Sequence, residues 1–305
     1  MATYLARRIA QAIATVLAVL TISFFLVRLS GSPGALLLGD NATPDDIAEL
    51  NSVLGFDQPV AVQFATYLRE ALGGSLGDSY RQARPAFDVV LERLPATLEL
   101  ALFSFVIGIG LAFVAALVIQ LSGARWAQAI VVGLGAARQA VPDFLFAVVL
   151  VLLFAVTLGM FPSFGRGGPE SMVLPIATLA TAQFALYFRL FTASFAEQES
   201  QDYVRTAVAK GQSRTRIVLD HMLPNAILPT LTVAGLNLAS LLGGTVIIEM
   251  VFTWPGMGQV LMNAVSTRDF PVIQAGLVVV ALIFVTVNLL VDLLYAALDP
   301  RVRLA

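Results

Sequence analysis

The chain contains no cysteine, a single histidine (His221), a single lysine (Lys210), and charged side chains at only 12% of its 305 residues. Without cysteine there is no disulfide, no thiolate metal ligand and no thiol nucleophile. One histidine cannot build an H-E-x-x-H helix or a two-histidine metal site, so no metal is expected. Lys210 stands between Ala209 and Gly211, so no G-x-x-x-x-G-K-[ST] phosphate loop exists and the chain has no such route to ATP. A net charge of −2 leaves no broad basic face for nucleic acid. Charge this sparse, against roughly 25% in soluble domains, also argues against a water-soluble fold. No catalytic residues and no cofactor of the chain's own are expected.

What the chain has instead is apolar length. Hydrophobic residues make up 58% of it, and they cluster in six stretches near 9–29, 96–120, 128–158, 173–195, 227–250 and 272–297. A bilayer core of about 30 Å takes about 20 apolar residues per helix, so the expectation is an all-α membrane protein of six transmembrane helices. The third stretch is too long for one straight helix. Pro142 predicts a kink there, with Trp126 to Ala140 lying partly at the membrane interface. The first stretch follows Arg7-Arg8 as a signal peptide would, but no A-x-A site follows at 30–34, so it is read as an uncleaved helix.

The arginines orient the bundle. Arg7, Arg8, Arg125, Arg205, Lys210, Arg214, Arg216, Arg301 and Arg303 share one face, against Arg166 and Arg268 in opposite short loops. The positive-inside rule then places both termini in the cytoplasm. Segment 30–95 falls outside, where its nine acids outnumber four arginines. In it, Thr43-Pro44-Asp45-Asp46 reads as an N-cap with proline at the first helical position, opening a helix to about Leu54. A second amphipathic helix runs from Val60 to Leu72 and stops at Gly73-Gly74. No internal repeat stands out.

The most informative segment is 200–225, between the fourth and fifth stretches. It reads as two short helices in an elbow: Ser200 caps the first, Gly211 ends it in the left-handed conformation, Ser213 caps the second, and Pro224 ends that one. Val204, Ala207, Val208 and Gly211 recur at i, i+3, i+4, i+7 and predict a buried face, leaving Arg205, Lys210, Arg214 and Arg216 free for headgroups or a protein. On pattern alone, an interfacial helix resting on anionic lipid fits as well.

The segment resembles the coupling loop of ABC-importer permeases. Ala207, Gly211, Leu223 and Pro224 match the general motif, whose glutamate falls at Arg205, first alanine at Thr206 and later isoleucine at His221. The peptide-importer branch reads D-Y-V-R-T-A-x-A-K-G, which Asp202, Tyr203, Val204, Arg205, Thr206, Ala207, Ala209, Lys210 and Gly211 match, with Val208 where an arginine is common. Gly55 to Pro59, Arg93 to Leu100, Gly243 to Gly258, Asn288 to Asp292 and Leu298 to Arg301 are similar to the same branch. The whole chain resembles a B-type dipeptide/oligopeptide permease, a group whose relatives also carry nickel, glutathione and other small polar solutes.

The resemblance implies a type I ABC importer permease fold in a bacterial inner membrane, multi-pass, with a first helix and outer loop over 1–92 and the permease domain over 93–299. It implies as partners a homologous second permease, two ATPase subunits that bind the ATP, and an extracytoplasmic solute-binding protein. The loop at 200–225 would dock on the ATPase, and di- or oligopeptides or a related solute would pass between the permeases.

Ionisable groups at membrane depth are costly, so Arg138, Asp143, Glu249 and Asp292 each call for a partner or a wet surface. Arg138 and Asp143 flank Pro142, where a structural pair is preferred to a pathway role. Glu249 lies near the outer end of the fifth stretch and reads as interfacial; Asp292 lies near the cytoplasmic surface. Arg138, Asp143, Glu249, Asn237 and Asn288 are the candidates for a translocation pathway. Small residues recur every fourth position at Gly108, Ala112, Ala116 and at Gly235, Ala239, Gly243, marking close helix contacts. His221 reads as a polar residue of the elbow. The competing class is a self-sufficient secondary transporter or channel, which predicts inverted repeats and midplane charges not found here. An intramembrane enzyme has almost no support.

Overall fold

The computed structural model describes residues 2–29, 34, 38, 42–53 and 55–298, with the backbone alone at 2–6, 232, 239, 242 and 292–298. In the motif Leu298-Asp299-Pro300-Arg301 only the backbone of Leu298 is described; residues 299–305, with both arginines at 301 and 303, and the side chain at 292 lie outside the described residues. The described residues are helical nearly throughout, with one isolated antiparallel bridge between Asp78 and Pro85. Five helices are long and apolar enough to cross a membrane, or six if one bent pair forms a single span. The chain divides into two compact units, Met1–Pro95 with Gly256–Ala305, and Ala96–Pro255.

The first unit holds α1 (Ala2–Leu29), α2 (Pro44–Val53), α3 (Val60–Leu72), α4 (Ala86–Leu91), α12 (Met257–Thr267) and α13 (Phe270–Leu298). Its core joins Leu20 of α1, Val89 and Val90 of α4, Met257 and Ala264 of α12, and Ala275, Val278 and Val279 of α13. Thr43 caps α2 as its sequence predicts: its Oγ1 accepts from the Asp46 N–H (3.2 Å), while Thr43 N–H donates to Asp46 Oδ2 (3.1 Å). The second outer helix spans Val60–Leu72, the residues expected. Asp269, 3% exposed, fastens the bridge loop by accepting from Ser79 Oγ and from the Tyr80 N–H (3.1 Å).

The second unit contains α5 (Leu94–Ser122), α6 (Arg125–Ala140), α7 (Asp143–Leu150, continued by a π-helical stretch Val151–Thr157), α8 (Val173–Glu199), α9 (Asp202–Ala209), α10 (Arg214–Arg216, continued by π-helical Ile217–Met222) and α11 (Leu223–Val251). On α8, 56% of the apolar window is buried, against 22% around α5, which makes α8 the central helix. The burial pattern of α5 inverts that of a soluble helix. Ala101, Ser104, Gly108, Ala112 and Ala116 are buried, while Leu102, Phe103, Val106 and Leu111 are exposed. Small residues bring backbones together, and the large ones are left for an apolar solvent. A Cβ on Gly108 would sit 2.6 Å from Gln183 Cβ and 2.8 Å from the Ala180 carbonyl, so glycine sets the α5–α8 approach. The Gly108, Ala112, Ala116 seam is thus a packing face. Of the second seam, Gly235 is buried, Gly243 is exposed, and the side chain at 239 is not described.

The third stretch departs from expectation in degree. Proline drives the preceding residue out of the helical region, and Val141 is extended (φ −92°, ψ 123°). The axes on its two sides differ by 101°, which is a break of the helix rather than the predicted kink.

Candidate functional site

The elbow at 200–225 is built largely by local backbone chemistry. Ser200 does not cap it: its Oγ donates to the Glu197 carbonyl (2.8 Å) and closes α8, and Gln201 precedes α9 instead. At the other end Gly211 has φ +70°, the Gly211 N–H reaches the Val208 carbonyl (2.9 Å) and the Gln212 N–H reaches Ala207 (3.2 Å). This pair of bonds is a Schellman closure, which needs the left-handed residue that glycine supplies. Ser213 Oγ accepts from the Arg216 N–H (3.4 Å) and starts α10.

Pro224 does not end the second helix, because the chain runs on into α11. Proline lacks an N–H and crowds the carbonyl four residues back, and a π-helical turn at Ile217–Met222 widens the helix just ahead of it. Just after the proline, Asn225 Nδ2 donates to the His221 carbonyl (3.1 Å).

Only half of the expected apolar face is buried. Val204 and Ala207 are each 4% exposed and join Ile217, Val218, Met222 and the α8 aromatics in one core, with Leu223 packed at its edge. Val208, at 58%, and Gly211 are exposed, since the elbow meets the bundle along one narrow line. Arg214 is also not free: its Nε donates to the Gln120 carbonyl (2.8 Å), a cation at the C-terminus of α5. Arg205 lies 3.4 Å from Asp202 and Arg216 3.4 Å from Asp220. Tyr203 bridges Gln198 of α8 and Asn225 of α11, and Thr206 Oγ1 donates to the Asp202 carbonyl (2.9 Å). His221 pairs with Gln212 (2.7 Å), as a polar residue of the elbow. The outcome is a rigid protrusion fixed to α5, α8 and α11. It presents Asp202, Arg205, Val208, Lys210, Gly211 and Pro224 outward, beside a groove of about 420 Å³.

A second constellation joins two distant sequence motifs inside the same unit. Glu249 is fully buried within the protein, and it accepts from Thr97 Oγ1 (2.6 Å) and Thr245 Oγ1 (3.3 Å). Trp254 follows it, also fully buried, and its indole N–H donates to the Ala96 carbonyl (2.9 Å). Arg166 pairs with Glu99 (2.7 Å) over the Trp254 ring.

Comparison with known proteins decides the family. Residues 108–304 match the model described as the binding-protein-dependent transport system inner membrane component, and residues 1–101 match the N-terminal model of the same systems. The chain belongs to this family. A Brucella abortus (strain 2308) protein named for a peptide transport system permease is 37% identical over 306 residues, covering 97% of this chain and 98% of the relative. The glutathione transport system permease GsiC of Escherichia coli (strain K12) is 36% identical over 304 residues, covering 99% of each. Among solved structures, an inward-facing MetNI methionine ABC transporter aligns with 69% of this chain and 96% of its own (TM-score 0.55, 18% identity). An amino acid ABC transporter with histidines aligns with 70% and 94% (TM-score 0.53, 16% identity). At these identities the structural likeness speaks to the fold alone, and that fold is the ABC-importer permease expected.

The protein is thus a multi-pass inner-membrane permease of an ABC importer, and the similarities do not favour a self-sufficient carrier. Its relatives are transport permeases, which accords with a transport role rather than a catalytic one.

Four of the five pathway candidates belong to the second unit, where Arg138 with Asp143, Asn237, and Glu249 have separate partners. Arg138, with its side chain 9% exposed, pairs with Asp143 (2.8 Å) and donates to Thr181 Oγ1 (3.0 Å) and to the Thr178 and Val141 carbonyls (2.9 and 3.2 Å). It thereby ties the broken span to α8 and satisfies a carbonyl that the break frees. Asn237 Nδ2 donates to Gln183 Oε1 (2.9 Å) between α11 and α8. Asn288 lies in the other unit, in a groove of about 200 Å³ with Gln11 and Thr15. Sequence reasoning missed Thr97, Thr245, Gln183 and Asp269. Thr97 stood inside a quoted motif, but only the folded chain shows its partner.

Proposed function

We propose that this permease carries a di- or oligopeptide, glutathione or a similarly small polar solute, and that its elbow at 200–225 is the surface through which ATPase subunits drive it. The solute class rests on the names of the relatives, a peptide permease and a glutathione permease, each matching nearly the whole chain. The driving role rests on the elbow. A protrusion that only rested on lipid would have no need of a Schellman closure, a tyrosine bridge to two spans and an arginine anchored on a third. Those ties let a push on Gly211 move α5, α8 and α11 as one body.

In this reading Asp202, Tyr203, Arg205, Thr206, Ala207, Lys210, Gly211, Leu223 and Pro224 form the coupling element. Tyr203, Ala207 and Leu223 hold it and the others face the partner. ATP is bound by the ATPases, a second homologous permease completes the pathway, and an external solute-binding protein delivers the cargo. The arginine distribution supports a cytoplasmic position for elbow and termini. Of the pathway candidates, Asp143, with 48% of its side chain exposed, and Asn288 face open space, whereas Arg138, Asn237 and Glu249 serve the fold.

Gly211 provides the test. A Cβ there would meet nothing within 4 Å, so a larger residue costs only the left-handed strain, about 1–2 kcal/mol, and projects into the docking space. Gly211→Trp is expected to leave the protein in the membrane while cutting uptake about tenfold or more and releasing ATP hydrolysis from solute. Full uptake by that variant overturns the assignment.

A further inference from the structure

The unit formed by 1–95 and 256–305 contains a groove of about 690 Å³, within the roughly 300–1,000 Å³ usual for small-molecule sites. It is unrelated to the elbow. Near one part of it lies Arg28, half-buried at the end of α1. Its guanidinium stacks on Phe24 (3.3 Å) and faces Phe56 (4.9 Å), and Nε and Nη2 both donate to Gln63 Oε1 (2.9 and 2.6 Å). Among the described residues no carboxylate lies within ion-pair distance of it. Nη1 also donates to the Phe24 carbonyl (3.3 Å), so the arginine is firmly oriented without a carboxylate among the described residues, and one N–H on each terminal nitrogen is left to suit a carboxylate.

The same groove is lined by Glu70 and Asp78, both exposed, and neither has a cation within 4 Å among the described residues. Three charges thus share one concavity without pairing with each other. Tyr80 lines the same groove, and its hydroxyl, pushed up to about 12 by burial and by Asp269, remains a neutral donor across the physiological range. A protein pairs its own charges where it can, so a cavity keeping opposite charges apart is complementary to a ligand bearing both.

We propose that this groove binds a small zwitterion, a free amino acid or short peptide, with its carboxylate on Arg28 and its ammonium toward Glu70 and Asp78. Its lining includes none of the five pathway candidates. It rests on the peptide reading above only for the choice of peptide over other zwitterions.

The test is equilibrium binding of tritiated L-alanyl-L-phenylalanine to the full chain in nanodiscs, with the N-acetylated and C-amidated forms as competitors. Blocking either end is expected to weaken competition about tenfold or more. Arg28→Gln should abolish the preference for a free carboxylate only, and Glu70→Gln with Asp78→Asn the preference for a free ammonium only. Should Arg28→Gln prove unstable, the acidic double variant, which alters exposed side chains alone, still decides the matter. Absence of saturable binding, equal competition by all three forms, or an unchanged ammonium preference in the double variant overturns the site. Dipeptide uptake by the assembled importer, measured in parallel, separates the two readings. Uptake without groove binding sinks only the groove, and groove binding without uptake sinks only the peptide cargo.

Discussion

Glu249 shows what a single residue at membrane depth must obtain from its neighbours. A carboxyl with no exposed surface needs hydrogen bonds, and two threonine hydroxyls supply them, Thr97 from α5 and Thr245 one turn back on α11. Removing one donor leaves a buried acceptor short, at a cost of about 1–3 kcal/mol. Thr97→Val, nearly the same shape, is therefore expected to lower the thermal midpoint of the purified permease in detergent, while Thr97→Ser holds it nearer the parent. An equal midpoint for valine and parent would show that the hydroxyl does not support the fold. Both motifs were readable in the sequence, but their contact was not, because 152 residues separate the partners. Arg214 repeats the lesson, since the group expected to be free is held by Gln120, 94 residues away.

Elements were legible where local chemistry fixes them. The bounds of α2 and α3 follow from Thr43-Pro44 and Gly73-Gly74, and the turn at Gly211 from a residue able to take positive φ, all within a few positions of the feature they determine. The break at Pro142 was legible in place but not in size, because Arg138 fastens the broken ends to α8. Continuation through Pro224 was not legible either, since the accommodating π turn packs on a core drawn from other helices.

The α2 cap carries a prediction of its own. Hydrogen bonds from Thr43 hold the Asp46 carboxyl below the usual aspartate range. A depressed folded pKa contributes stability above the ordinary value of about 3.9, and that contribution disappears as pH falls through the folded value. After correction for intrinsic rates, the amide of Ile47, bonded to the Thr43 carbonyl (3.1 Å), should lose exchange protection as pH falls below the ordinary aspartate value of about 3.9. Asp46→Asn should remove that pH dependence, and protection that stays flat in the parent chain would show that the carboxylate does not hold the cap.

At the scale of the molecule, large apolar side chains point outward from α5 and small ones inward, which suits a chain whose solvent is lipid and whose helices associate by close backbone contact. Such a surface says nothing about which end faces which compartment; only the charges do. Nine basic residues on one face against two in the opposite short loops predict, by the positive-inside rule, a cytoplasmic elbow and an external 30–95 segment. The absence of cysteine makes this directly measurable, because any introduced thiol is the only one present. Asp57 and Thr215 are both exposed, one ahead of α3 and one on the elbow. On intact cells a membrane-impermeant maleimide should label Asp57→Cys at once and Thr215→Cys only after the membrane is permeabilised. The reverse pattern would place the elbow on the face opposite to any cytosolic ATPase. It would overturn the coupling assignment while leaving the family and the fold intact.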